Sequence, residues 1–183
     1  SLLIGDSAVG SGGVVSVAAG NTTDAGTEGS FGGDVRLDSG DGYVGGHVAL
    51  TSGEGLTSSG GGIALTVGDA AAEVGGSFKA TAGYTAAADA GGTVSFAGGL
   101  STSGDGGSIV VTGGTSNSAT GGNVSVVTGF GMAVNSGHFR LATVNAGDSG
   151  VSGSVNLLSG VSAAGRSGDV SVSTGASNAG VGG

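Results

Sequence analysis

The sequence predicts an all-β fold, a flattened right-handed parallel β-solenoid of about eleven coils, each with about 15 residues and two strands. Three observations predict it. Gly-Gly or Ser-Gly pairs recur at near-constant spacing, two apolar residues follow each pair at alternating positions, and proline is absent. Residues 1–183 then form a single repeat domain, a piece of a longer array or assembly.

The spacing comes first, because internal repetition constrains everything else. The second residues of the pairs are Gly13, Gly33, Gly46, Gly61, Gly76, Gly92, Gly107, Gly122, Gly137, Gly153, Gly168 and Gly183. The step from Gly13 to Gly33 is long and the step from Gly33 to Gly46 short; from Gly46 onward every step is fifteen or sixteen. We call these glycines markers and number each unit from its marker.

The first strand of each unit follows its marker. Positions two and four are apolar in every unit: Val15 and Val17, Ile63 and Leu65, Ile109 and Val111, Val124 and Val126, Val170 and Val172 are examples. Residues between them are mostly polar or small, so the period is two, as in a strand with one buried face. Position seven is glycine in all units but one, where Val144 stands. Glycine at both ends of the strand predicts turns that need positive φ.

The second strand is subtler. Six and four residues before the next marker, only small side chains occur from Gly61 onward, as in Ser116 with Ser118, Gly131 with Ala133, and Ser162 with Ala164. Two small columns two residues apart predict a strand whose inward face lacks bulk. The alternative is that these columns face outward as a flat docking surface.

Identical units imply identical environments. An antiparallel meander alternates environments and favours a repeat of about twice this length, whereas coils stacked by translation need only one unit. Right-handed winding follows the rule for parallel crossovers. Proline is missing because a central strand needs its N–H. Eleven coils at about 4.8 Å make a rod on the order of 50 Å long. Some 22 apolar positions at roughly 1.5–3 kcal/mol each would form its core, opposed by the chain entropy of 46 glycines, so the rod is expected to need caps or lateral partners.

Composition excludes several function classes. Collagen is excluded by the missing proline and the missing three-residue glycine period. No apolar run approaches the about 20 residues that a membrane-spanning helix needs, so no membrane insertion is expected. A net charge of −9 with four Lys and Arg excludes nucleic acid as a partner. Without cysteine there is neither a disulfide frame nor a thiolate metal site. Ser1 is not an initiator methionine, and the chain is expected to be processed or part of something longer.

Candidate site residues are few. His47 and His138 hold the same position six coils apart, roughly 29 Å, and share no site. Asp41, Glu54 and Asp69 each sit eight residues after a marker on consecutive units. Stacked about 5 Å apart they would repel, and calcium favours such carboxylate oxygens. They are therefore candidate calcium ligands, weighed against the plainer reading of solvated turn residues. Asn21-Thr22-Thr23 and Asn123-Val124-Ser125 fit the N-glycosylation pattern, which makes Asn21 and Asn123 candidate acceptors. The stretch from Asn21 to Phe31 is the one long excursion. No acid–base cluster converges by column, so no enzyme and no other cofactor is expected.

The units SGDVSVSTGASNAGVGG (167–183) and VNAGDSGVSGSVNLLSGVSAAGRSG (144–168) resemble Gly/Ser/Ala-rich repeats of large uncharacterised surface proteins of stramenopile algae and their relatives. The resemblance covers nearly the whole chain and rests on repeat style. It implies secretion, a cell-surface or extracellular location and a structural role, and it implies no catalytic residues.

Together these readings predict a non-enzymatic surface rod in an elongated extracellular assembly or filament. Its expected partners are itself, end to end or laterally, or other structural proteins. The alternative is an ice- or polysaccharide-binding solenoid, with Thr51, Thr66, Thr81 and Thr112 in one column that Asp38, Val127 and Leu158 interrupt. Neither end carries a recognisable cap, which predicts continuation into further coils or end-to-end stacking.

Overall fold

The structure, a computed structural model, describes Ile4, residues 11–23 and residues 29–182. The chain divides into two units, Ser1–Val94 and Ser95–Gly183. The opening stretch before Gly13, the centre of the Asn21–Phe31 excursion and the final marker Gly183 lie outside the described residues or largely so.

The β-solenoid is not what forms. Among the described residues there is no strand and no helix, only irregular segments punctuated by bends and turns, so the parallel β-helix expectation is wrong. No buried core exists among them either. The accessible surface is 17766 Å². A folded monomer of this mass exposes about 7,600 Å² and an extended chain about 23,900 Å². The chain thus retains most of the surface that folding would remove.

What organises the chain is a local closure. In eight consecutive repeats the N–H of a marker glycine donates to the carbonyl of the position-seven glycine before it. In unit Ser1–Val94 these bonds are Gly33 to Gly20 (2.9 Å), Gly46 to Gly40 (2.9 Å), Gly61 to Gly53 (2.9 Å), Gly76 to Gly68 (3.2 Å) and Gly92 to Gly83 (2.9 Å). In unit Ser95–Gly183 they are Gly107 to Gly99 (2.9 Å), Gly122 to Gly114 (2.8 Å) and Gly137 to Gly129 (3.0 Å). Each of these eight repeats is therefore an irregular arm from marker to position seven, followed by a loop pinched shut by one bond; in the repeat from Gly153 to Gly168 no backbone bond joins Gly168 to Gly160.

This bonding is not a ladder. A strand ladder needs repeated bonds between neighbouring segments. Here the marker N–H is spent on its own loop, and the arm residues after it donate to no backbone carbonyl among the described residues. The repeat where Val144 replaces the glycine departs from the scheme as well: there Gly150 donates to Gly147 (3.2 Å).

The apolar pairs do not form a core. Position-two side chains are about half exposed (Val94 48%, Val124 58%), and position-four side chains more so (Val126 69%, Val172 88%). The difference has a local cause. Val124 Cγ2 lies 3.7 Å from where a Cβ on Gly113 would stand, so position two rests against position six of the preceding repeat.

The small columns do not form a second strand. In most repeats the residue four before the marker sits mid-bend, as Ser103 does in 102–104 and Ala164 in 163–165, and both are exposed. Their smallness suits a tight bend rather than a thin interior.

Candidate functional site

The recurring structure is the pinched loop, and its chemistry is backbone chemistry. Both its ends are glycine, for reasons the structure separates. A Cβ on marker Gly122 would stand 2.9 Å from the Gly114 nitrogen, closer than side chains approach, whereas a Cβ on Gly114 meets nothing within 4 Å. At Gly92, Gly107 and Gly122, where a Cβ would stand 2.7–3.0 Å from the acceptor glycine's nitrogen, the donor glycine permits close approach of two backbones; at Gly61 and Gly137 the nearest atom is 3.4 Å away, an ordinary contact. Positive φ is not the reason, since Gly29 (φ 93) alone adopts it among the described residues.

Small polar side chains brace the loop. Ser39 Oγ donates to the Gly46 carbonyl at 3.3 Å and Ser52 Oγ to the Gly61 carbonyl at 3.1 Å, reinforcing the closure from position six. Inside the loop, a serine six before the marker accepts from the backbone. Gly104 N–H donates to Ser101 Oγ (2.8 Å), Ala119 N–H to Ser116 Oγ (2.9 Å), Gly165 N–H to Ser162 Oγ (3.0 Å) and Gly180 N–H to Ser177 Oγ (2.9 Å). These are hydroxyl-capped turns. Sequence reasoning assigned the same serines to a strand. The signal that identifies them is Ser-x-x-Gly or Ser-x-x-Ala before a marker.

The expected site residues are placed separately. Asp41, Glu54 and Asp69 are exposed, and among the described residues no group of three or more His, Asp or Glu is placed to hold a metal ion. Their stacking depended on coils, and without coils nothing brings them together. His47 and His138 are exposed, as are the sequon residues Asn21 and Asn123. Neither unit holds a pocket among its described residues. No helix among them is long and apolar enough to cross a membrane.

No family model, curated protein or solved structure matches the chain.

Proposed function

We propose that this chain is a non-enzymatic structural protein that acts by associating with copies of itself or with other structural chains in an extracellular assembly. One observation carries the reading. Every described repeat displays two apolar side chains that the chain itself leaves about half exposed or more, on a total surface of 17766 Å². Exposed apolar surface on this scale marks interaction sites rather than a finished monomer surface. The non-enzymatic part of the reading is supported by the resemblance of 144–183 to algal surface repeats, which implies no catalytic residues. Extracellular placement is supported by the same resemblance.

The test is the size of the full chain by light scattering across a wide concentration series, with electron microscopy of the concentrated samples. Growth into elongated particles is expected. A monomer at every concentration overturns the reading, and thermal hysteresis or retention on an insoluble glycan by that monomer transfers it to the ice- or polysaccharide-binding alternative.

A further inference from the structure

We propose that the assembly is nucleated at residues 108–113 and 123–128, which pair with the same segments of a second copy of this chain. The proposal rests on the structural reading above and specifies where the copies meet.

Charge selects the place. The chain carries −9, so two copies repel wherever their acids face one another. Between Asp105 and Arg140 there is no Asp, Glu, Lys or Arg, and this stretch, 106–139, is twice as long as the next such stretches, 7–23 and 149–165. Elsewhere several arms carry charges at the positions between the apolar pair, including Arg36, Lys79 and Arg140. Such residues obstruct edge-to-edge pairing.

The local structure supplies an edge there. The closures Gly107 to Gly99, Gly122 to Gly114 and Gly137 to Gly129 hold the loops and leave both arms between them without regular structure of their own. The N–H groups of 108–113 and 123–128 donate to no backbone carbonyl among the described residues. A second copy offers partners for this whole row. Composition matches the role: Ile109, Val110, Val111 and Thr112 are consecutive and β-branched, and Val124, Val126, Val127 and Thr128 follow one repeat later, with no proline.

The area suffices. Ile109, Val110, Val111, Val124, Val126 and Val127 are 57–85% exposed. In the loop that follows, Phe130, Met132 and Val134 are more than four-fifths exposed. At roughly 60–120 Å² of apolar surface per side chain these nine provide on the order of 500–1,000 Å² per copy, comparable with the about 800 Å² per partner of a stable interface. Identical segments in register place like apolar residues together and no charge opposite a charge. The pairing is between chains, so the strand character belongs to the assembly and the isolated chain shows none.

The experiment compares the full chain with Val110→Asp, Val110→Pro and, as control, Val35→Asp, which puts the same charge into an arm already flanked by Asp34 and Arg36. The readouts are the concentration threshold for growth by light scattering and the intermolecular β band by infrared spectroscopy. Both Val110 variants are expected to raise the threshold at least about tenfold, equivalent to about 1.4 kcal/mol, and to lose the band, while Val35→Asp stays near the parent. Val110 variants that assemble like the parent overturn the segment assignment and leave the structural reading standing. An equal effect of Val35→Asp also overturns it, because the charge then acts without regard to place. A parent chain that never grows overturns both.

Discussion

Two glycines hold opposite ends of one bond, Gly122 and Gly114, and alanine should affect them unequally. At Gly122 a Cβ would stand 2.9 Å from the Gly114 nitrogen and 3.5 Å from its carbonyl oxygen, so the 2.8 Å closure must lengthen or break. At Gly114 the Cβ enters open space and the carbonyl acceptor is untouched. An exposed backbone hydrogen bond contributes about 0.5–1.5 kcal/mol net. Alanine also narrows the open-chain ensemble, favouring the closed form by about 0.4–1 kcal/mol where the conformation is compatible. The Gly114→Ala loop should therefore close more tightly, by roughly two- to fivefold in the closing equilibrium. Gly122→Ala loses the bond and keeps only that entropic gain, leaving the two variants about 0.5–1.5 kcal/mol apart. The assay is amide hydrogen exchange at residue 122, below the association threshold, with each rate divided by the intrinsic rate for its residue type. Equal loss of protection in both variants would show that the close approach at the marker is not what demands glycine.

Ser116→Ala removes the hydroxyl that accepts from Ala119 N–H at 2.9 Å, and exchange at Ala119 should quicken by a factor consistent with about 0.5–1.5 kcal/mol, with Gly122 little changed. Added salt should lower the association threshold, because raising it from about 0.01 M to about 0.15 M shortens the screening length from about 30 Å to about 8 Å between copies of charge −9; a threshold that rises with salt contradicts the charge argument. Secretion from a eukaryotic host should place a glycan on exposed Asn123, detectable as a mass shift that Ser125→Ala reduces by one glycan. That glycan stands in the arm 123–128, so the glycosylated chain should assemble less readily than the bare one.

The sequence made the repeat legible, because in eight repeats its glycine columns are the two ends of the closing bond. Gly114 and Gly122 were identifiable as special from spacing alone; the reason they are special was not, since spacing cannot distinguish a positive φ from a close approach. The alternation at Ile109 and Val111 predicted one buried strand face, and neither a strand nor burial is found there. Whether anything covers such a face is a separate question, and a period-two pattern is silent on it. Ser101, Ser116, Ser162 and Ser177 were mistaken for strand residues because smallness was weighed and hydrogen-bonding capacity was not. The carboxylate column of Asp41, Glu54 and Asp69 depended wholly on coil stacking and fell with it.

The interval between markers varies, longest from Gly13 to Gly33 and shortest from Gly33 to Gly46, yet the distance from a marker to position seven is constant, so all variation in length falls within the loops. Each loop then stores contour that a stretched chain has in reserve. The eight residue steps from Gly114 to Gly122 span about 26–29 Å when drawn straight, while the closure holds their ends one hydrogen bond apart at 2.8 Å. Under tension such a bond yields first and spares the covalent chain, releasing on the order of 20 Å of slack. It re-forms when the load is removed, since closing a loop this short takes well under a microsecond. Eight such fasteners in series make the chain a shock absorber, and single-molecule pulling should register small, rapidly reversible extensions of about that size at low force.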